Sequence, residues 1–325
     1  MMLPWHVPQW NLLWKAAQNN RLPHALLLVG ACDLEKKHFA ENVARTLLCV
    51  KPTTQGSPCE TCHACHLVKA QSHPDLLWVE PVETGQIIKV DQIRELVSKV
   101  HETSMQGGLK IVILHPAHAM NIAAANALLK TLEEPSPNTL LILISDQRLR
   151  LPATMSSRCQ KIMFHKPPKE MANTWLQSQH LQDAELLLAL AEGFPLSALA
   201  FQTENVMSLR QELYKGLHAM KRGHLDPLSF ARDCQTFDVV SLLKLLQLWM
   251  RDLLRFHLTQ GKAGLINSDY YAVFAEISPS ISLNNSVKYA NLVQSTYIKI
   301  QNRLNLNKQL LFEELWITWT RYVSC

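Results

Sequence analysis

Charge and glycine are both sparse in this chain: 18% of its 325 residues are Asp, Glu, Lys or Arg, and only ten are Gly. Ten glycines and sixteen prolines exclude a collagen-like repeat. Low charge beside 47% hydrophobic residues excludes a disordered chain, because there is enough apolar surface to offset chain entropy. The net charge of +5, from 32 basic and 27 acidic residues, falls short of the basic footprint of a dedicated nucleic-acid binder. A secretory signal is missing: Met1 to Trp14 has no basic segment followed by an apolar run. So is a membrane span, since the oiliest stretch, Val239 to Leu254, is broken by Lys244, Gln247, Arg251 and Asp252. A cytoplasmic protein of two or three domains is expected. In that compartment its eight cysteines are read as metal or packing chemistry rather than disulfides.

Five short apolar runs, Ala25–Val29, Leu76–Val79, Ile111–Leu114, Leu140–Ile144 and Ile162–Phe164, alternate with helical patterns. Near-continuous apolar strands separated by helices predict a parallel sheet covered on both faces. Asp91 is expected to cap the helix carrying Ile93, Leu96, Val97 and Val100. Pro167–Pro168 marks a boundary, after which the chain reads as all-α. A short helical unit with Leu186, Leu187 and Leu190 comes first. Longer helices follow from about Met207, with apolar stripes Val239–Leu242–Leu243–Leu246–Met250–Leu253–Leu254 and Val287–Ala290–Tyr297–Ile300–Leu304. Asn307 is the expected cap of a last helix presenting Leu311, Leu315, Trp319 and Tyr322. The division is 1–166, 167–207 and 208–325. Trp316 and Trp319 suit either core or a subunit interface.

Cys49, Cys59, Cys62 and Cys65 follow a C-x9-C-x2-C-x2-C pattern, and four thiolates at that spacing can converge on one tetrahedral ion. Zinc is the preferred reading, in a closed structural site with no position open for water. Unliganded thiols and an iron–sulfur cluster are the alternatives. His63 and His66 are competing ligands in principle and solvated neighbours by default. Cys32, Cys159, Cys234 and Cys325 have no partner spacing and are read as packing residues.

The first apolar run leads into Gly30-Ala31-Cys32-Asp33-Leu34-Glu35-Lys36-Lys37, which has the position and length of a phosphate-binding loop. Lys36 falls where the phosphate-binding lysine belongs. Glu35 replaces the second glycine and brings a carboxylate toward phosphate, while Lys37 replaces the hydroxyl that would hold magnesium. The third apolar run ends in His115 and Pro116, neither of which supplies a carboxylate base or an anionic metal ligand. A degenerate nucleotide site and an ordinary α/β domain that never had one both fit this spacing.

Further segments bear on the choice: Arg21-Leu22-Pro23-His24-Ala25-Leu26-Leu27, Ser72-His73-Pro74-Asp75, the run from Ala124 to Pro135 that reads A-A-N-A-L-L-K-T-L-E-E-P, and Ser156-Ser157-Arg158-Cys159. Together with the four cysteines they resemble the delta-prime family of bacterial DNA polymerase III clamp-loader subunits, within the AAA+ superfamily. The resemblance spans the N-terminal half; beyond it only helical character and length agree. It implies a five-stranded parallel AAA+-like core with an inserted zinc module (49–65), a helical lid, and an all-α collar through which five subunits form a ring. It also implies gamma/tau motor subunits and a delta subunit as partners, with a sliding clamp and primed-template DNA reached through the complex. Glu35, Lys37, His115 and Pro116 depart from the motor pattern, so no bound ATP is expected. The lid segment Gly193 to Leu199 likewise lacks the arginine of motor subunits. In this family the arginine of S-R-C, here Arg158, points at ATP in a neighbouring motor subunit. The bland alternative for Arg158 is a pair with a carboxylate on its own surface. As whole-protein alternatives, a gamma/tau-like ATPase would require Mg²⁺-dependent ATP binding by the lone chain. A zinc-dependent DNA-binding module would require a basic, aromatic-rich surface that is not evident around the cysteines.

Overall fold

The computed structural model describes residues 2–83, 86–106, 108–146, 151–203, 205–261, 264–301 and 306–323. They fall into two compact units, 1–171 and 172–325.

In the first unit, helix α1 (Val7–Gln18) precedes strand β1 (Ala25–Val29), then come α2 (Lys36–Leu47), α3 (His63–Lys69), β2 (Leu76–Val79), α4 (Val90–His101), β3 (Lys110–Leu114), α5 (Ile122–Glu133), β4 (Thr139–Ser145), the single turn α6 (Ala153–Ser156) and β5 (Gln160–Met163). The strands form one parallel sheet in the order β2-β3-β4-β1-β5, as the AAA+ resemblance implies. All residues of β1, β3 and β4 are buried, which is why their sequences, apart from Lys110, Thr139 and Ser145 at strand ends, are continuous apolar runs rather than alternations. Leu27, Val29, Val112, Leu114, Leu141 and Leu143 pack with Leu96 and Val100 of α4 and Leu128 and Leu132 of α5. Strand β5 begins two residues before the apolar run because its register is set by pairing with β1, from Leu26↔Gln160 to Val29↔Met163. An edge strand pairs on one side only, so Gln160 and Lys161 remain exposed.

Asp91 does not cap α4. The helix starts at Val90, two residues earlier than that cap implies, with Lys89 as N-cap, and the Gln92 side chain accepts from the Lys89 backbone N–H at 3.1 Å. Asp91 sits in the first turn instead, where the positive end of the helix dipole favours a carboxylate. The Ser72-His73-Pro74-Asp75 segment serves the fold. The buried Asp75 carboxylate accepts from the backbone of Met105 (2.9 Å) and Gln106 (3.1 Å) and from Ser104 Oγ (3.0 Å).

The second unit is helical, taking in most of α7 (Lys169–Ser178), then α8 (Ala184–Leu190), α9 (Pro195–Thr203), α10 (Val206–Lys221), α11 (Pro227–Asp233), α12 (Val239–Thr259), α13 (Tyr271–Ile277), α14 (Leu283–Gln301) and α15 (Lys308–Val323). Asn307 caps α15 as expected, its side-chain oxygen accepting from Gln309 and Leu310 N–H. Trp316 and Trp319 are core residues, both wholly buried, and Trp319 Nε1 donates to the Leu217 carbonyl at 3.1 Å. The fully buried face of α14 is Ser286, Tyr289, Val293 and Thr296; of the expected stripe, Ala290, Tyr297 and Ile300 are half-buried against the core, whereas Val287 is 41% exposed. Hydroxyls can occupy buried positions when they are bonded; Ser286 Oγ lies 3.3 Å from His257 Nε2. Leu304 of that stripe, and Cys325, lie outside the described residues. Among the described residues no single helix is long and apolar enough to cross a membrane.

Candidate functional site

The carboxyl ends of the parallel strands, where α/β folds place their ligands, carry the phosphate-loop residues. Gly30 follows β1, and a Cβ there would lie 2.6 Å from the Phe164 carbonyl oxygen, so only glycine fits. A phosphate-binding loop needs inward-pointing N–H groups. Here residues 32–34 form a 3₁₀ turn, and two N–H groups of the loop serve the loop itself: Leu34 N donates to Ala31 O (3.4 Å) and Glu35 N to Cys32 O (3.3 Å). Glu35 takes up a left-handed conformation (φ 52°) as N-cap of α2, without a side-chain capping bond. From the N-terminal segment His6 Nε2 donates to the Leu34 carbonyl at 2.7 Å, with its ring against Phe39 and Phe164. Burial lowers the His6 pKa to about 4, so the ring is neutral.

Lys36 is 2% exposed, and its Nζ lies 2.6 Å from Asp146 Oδ1, the residue after β4, while donating also to the Ala31 carbonyl. The cation in the phosphate-binding position is thus engaged by a carboxylate and a carbonyl of its own chain. Lys37 behaves similarly, with Nζ 2.7 Å from Glu80 Oε1 at the end of β2 and 5.3 Å from the centre of the Trp78 ring. His115, at the end of β3, reaches the same Glu80 oxygen at 3.4 Å. Sequence reasoning placed Lys36, Lys37 and His115 at this edge but missed Asp146 and Glu80. The available signal was positional, as each acid immediately follows an apolar strand.

Arg158 stands between two buried anchors, Met155 and Cys159, 1% and 8% exposed. Burial pushes the Cys159 thiol up to about 11, consistent with packing rather than reactivity. The Arg158 side chain is 35% exposed; Nη1 donates to the Thr154 carbonyl at 2.7 Å and Nη2 forms an ion pair with Glu133 at the end of α5. A surface carboxylate does therefore hold it in the lone chain. The A-A-N-A-L-L-K-T-L-E-E-P run supplies α5 itself. Asn121 caps it by accepting from Ala124 N–H (2.8 Å), Ala124, Ala125, Leu128, Thr131 and Leu132 are buried, and Lys130 is exposed as expected.

The four cysteines converge between the end of α2 and the start of α3. All four Sγ atoms lie within 4.8 Å of one another, with Cys49–Cys62 and Cys59–Cys65 each separated by 4.0 Å. A tetrahedral ion with metal–sulfur bonds of about 2.3 Å has sulfur–sulfur edges of about 3.8 Å, so the donor set fits. Backbone N–H groups of Cys59 and Cys65 point at the sulfurs of Cys49 (3.2 Å) and Cys62 (3.4 Å), favouring thiolate. Backbone bonds from Thr61 and Cys62 lower the Cys59 thiol to about 6, whereas burial raises Cys65 to about 12. His63 and His66 are exposed and outside the cluster. The module docks on α1 through Gly56 (φ 77°), whose missing Cβ would lie 2.8 Å from both Trp10 and Trp14. Trp14 Nε1 donates to the Thr54 carbonyl (3.2 Å), and Arg45 bonds both Glu60 oxygens (2.7 and 2.6 Å). Of the cysteines read as packing residues, Cys159 and Cys234 are buried, but Cys32 is exposed with its thiol 3.4 Å from Asp33 Oδ2.

Comparison with known proteins gives matches along nearly the whole chain. Residues 5–168 match the family described as DNA polymerase III, delta subunit, and residues 204–321 match its C-terminal counterpart. The DNA polymerase III subunit delta' of Pseudomonas aeruginosa is 35% identical over 320 residues, covering 97% of this chain and 96% of the relative. That of Escherichia coli is 31% identical over 326 residues, covering 99% and 96%. A DNA polymerase III gamma subunit-related protein of known structure from Thermotoga maritima aligns with 96% of this chain and 99% of its own, at 18% identity and a TM-score of 0.48.

Proposed function

This chain belongs to the delta-prime family of DNA polymerase III clamp-loader subunits, and on that premise we propose that it hydrolyses no ATP itself and serves the ATP of a neighbouring subunit. The observation that carries this reading is the Lys36–Asp146 pair, which places an internal carboxylate against the cation that would otherwise hold phosphate. The closed 31–35 turn, together with Lys37 facing Glu80 rather than a hydroxyl facing magnesium, supports it. Arg158 is the contribution in trans. Its permanent charge and forked donors suit the charge developing on a transferred phosphoryl group. In this reading the chain is cytoplasmic, residues 167–207 act as the lid and 208–325 as the collar. Gamma/tau and delta subunits complete a pentameric ring that places a sliding clamp on primed DNA.

The test is equilibrium titration of Mg²⁺–ATP into the isolated chain, with a motor subunit as positive control. No saturable binding in the millimolar range is expected; tight, Mg²⁺-dependent binding would replace this reading with that of a motor ATPase.

We also read the four-cysteine centre as structural zinc, held by Cys49, Cys59, Cys62 and Cys65. Zinc supplies no chemistry there beyond cross-linking, because four thiolates close its coordination. Elemental analysis is expected to return one zinc per chain. Cys62→Ser should lose the metal and make the 50–62 loop protease-sensitive while the five-stranded sheet stays folded. A full-length, folded wild-type protein purified without metal would contradict the assignment.

A further inference from the structure

We infer that Glu133 is a positioning residue for Arg158, an inference that rests on the trans-acting role proposed above. A long, half-exposed arginine is a poor reagent unless its rotamers are restricted, because ordering it costs free energy each time it is used. Here the guanidinium is held at two points. Thr154 O takes a hydrogen from Nη1, and the Glu133 carboxylate takes Nη2. Glu133 is the last residue of α5, so the guanidinium also sits at the negative end of a helix dipole. Met155 and Cys159, buried on either side, fix the backbone from which Arg158 projects. These two contacts engage two of the five N–H donors of the guanidinium, leaving the others for a phosphoryl group while the side chain stays held.

Glu133 belongs to an exposed acidic pair, Glu133–Glu134, at the end of a run whose buried members, Ala124, Ala125, Leu128, Thr131 and Leu132, are accounted for by helix packing. Its side chain is 47% exposed and contributes nothing to the core, so a purely structural role gives it no reason to matter for turnover.

The test is a double-mutant cycle on the reconstituted ring, reading kcat and KM for ATP. Glu133→Ala is expected to lower kcat about three- to ten-fold with KM unchanged, as befits the loss of one restrained side chain. Glu133→Gln, which keeps an acceptor oxygen, should fall between. In the Arg158→Ala background Glu133→Ala should have no further effect, since it acts only through the arginine. Equal effects of Glu133→Ala in both backgrounds would show a structural role and overturn the inference. A rise in turnover would overturn it as well, showing Glu133 to be a competitor for the guanidinium. No change with Glu133→Ala beside a loss with Arg158→Ala would sink the inference alone, whereas no change with Arg158→Ala would sink the underlying reading. Should Glu133→Ala fail to assemble, the isosteric Glu133→Gln carries the same cycle.

Discussion

Asp146→Ala is expected to destabilise the first unit by about 2–4 kcal/mol, measured as a lowered urea midpoint at unchanged slope. Removing one member of a buried ion pair costs about 3–5 kcal/mol because the partner is left charged and unsolvated. Lys36 is in that position: its side chain is 1% exposed, and only the Ala31 carbonyl would remain to it among the contacts described. Asp146 is 26% exposed, so water can enter once its carboxylate is gone, which sets the expectation below the full penalty. Lys36→Met should cost less, since an apolar chain of similar length fills the same space and Asp146 can turn to solvent. The double variant should therefore lie close to Lys36→Met alone, a non-additivity diagnostic of direct coupling. An additive pair, or a neutral Asp146→Ala, would mean that the two charges do not depend on each other. A motor-type site gives the opposite expectation, because there the lysine faces a ligand and its removal damages nucleotide binding more than folding.

If Arg158 serves a neighbour's nucleotide as proposed, Arg158→Ala is expected to reduce hydrolysis at that site by about 10³–10⁵-fold, the range seen when an arginine finger is supplied or withheld. The bulk rate of a ring with several active sites falls less if the other sites fire independently, and nearly as far if they fire in concert. Assembly should be unaffected. The S-R-C backbone is secured by Met155 and Cys159, and the Arg158 side chain contributes only exposed contacts with Glu133 and Thr154. Arg158→Lys should recover little, because an ammonium keeps the charge but loses the planar fork.

Much of this was legible in the sequence. Buried parallel strands announce themselves as unbroken apolar runs, so β1, β3 and β4 fall within a residue or so of their expected bounds. The cysteine set was legible because its members lie within seventeen residues of one another in the sequence. What was not legible depends on contacts between distant segments. Lys36 and Asp146 are separated by more than a hundred positions, and only the β1–β4 pairing brings their strand ends together. Glu80 and Lys37, after β2 and β1, meet only through the β2–β3, β3–β4 and β1–β4 pairings of the whole sheet. The centre of the buried face of α14 was missed, although Ala290, Tyr297 and Ile300 border it, because hydropathy counts Ser286 and Thr296 as surface residues, whereas both are buried. Capping of α4 was misjudged by two positions, since Lys89 is an unusual N-cap that depends on Gln92 to complete it.

In the proposed role, this subunit acts on triphosphate bound by its neighbour. The most direct measurement is ATP hydrolysis by the reconstituted ring, with the intact chain and with Arg158→Ala, at assembly matched by sedimentation. Strongly reduced hydrolysis with intact assembly is the predicted result. Equal rates from the two rings would contradict it.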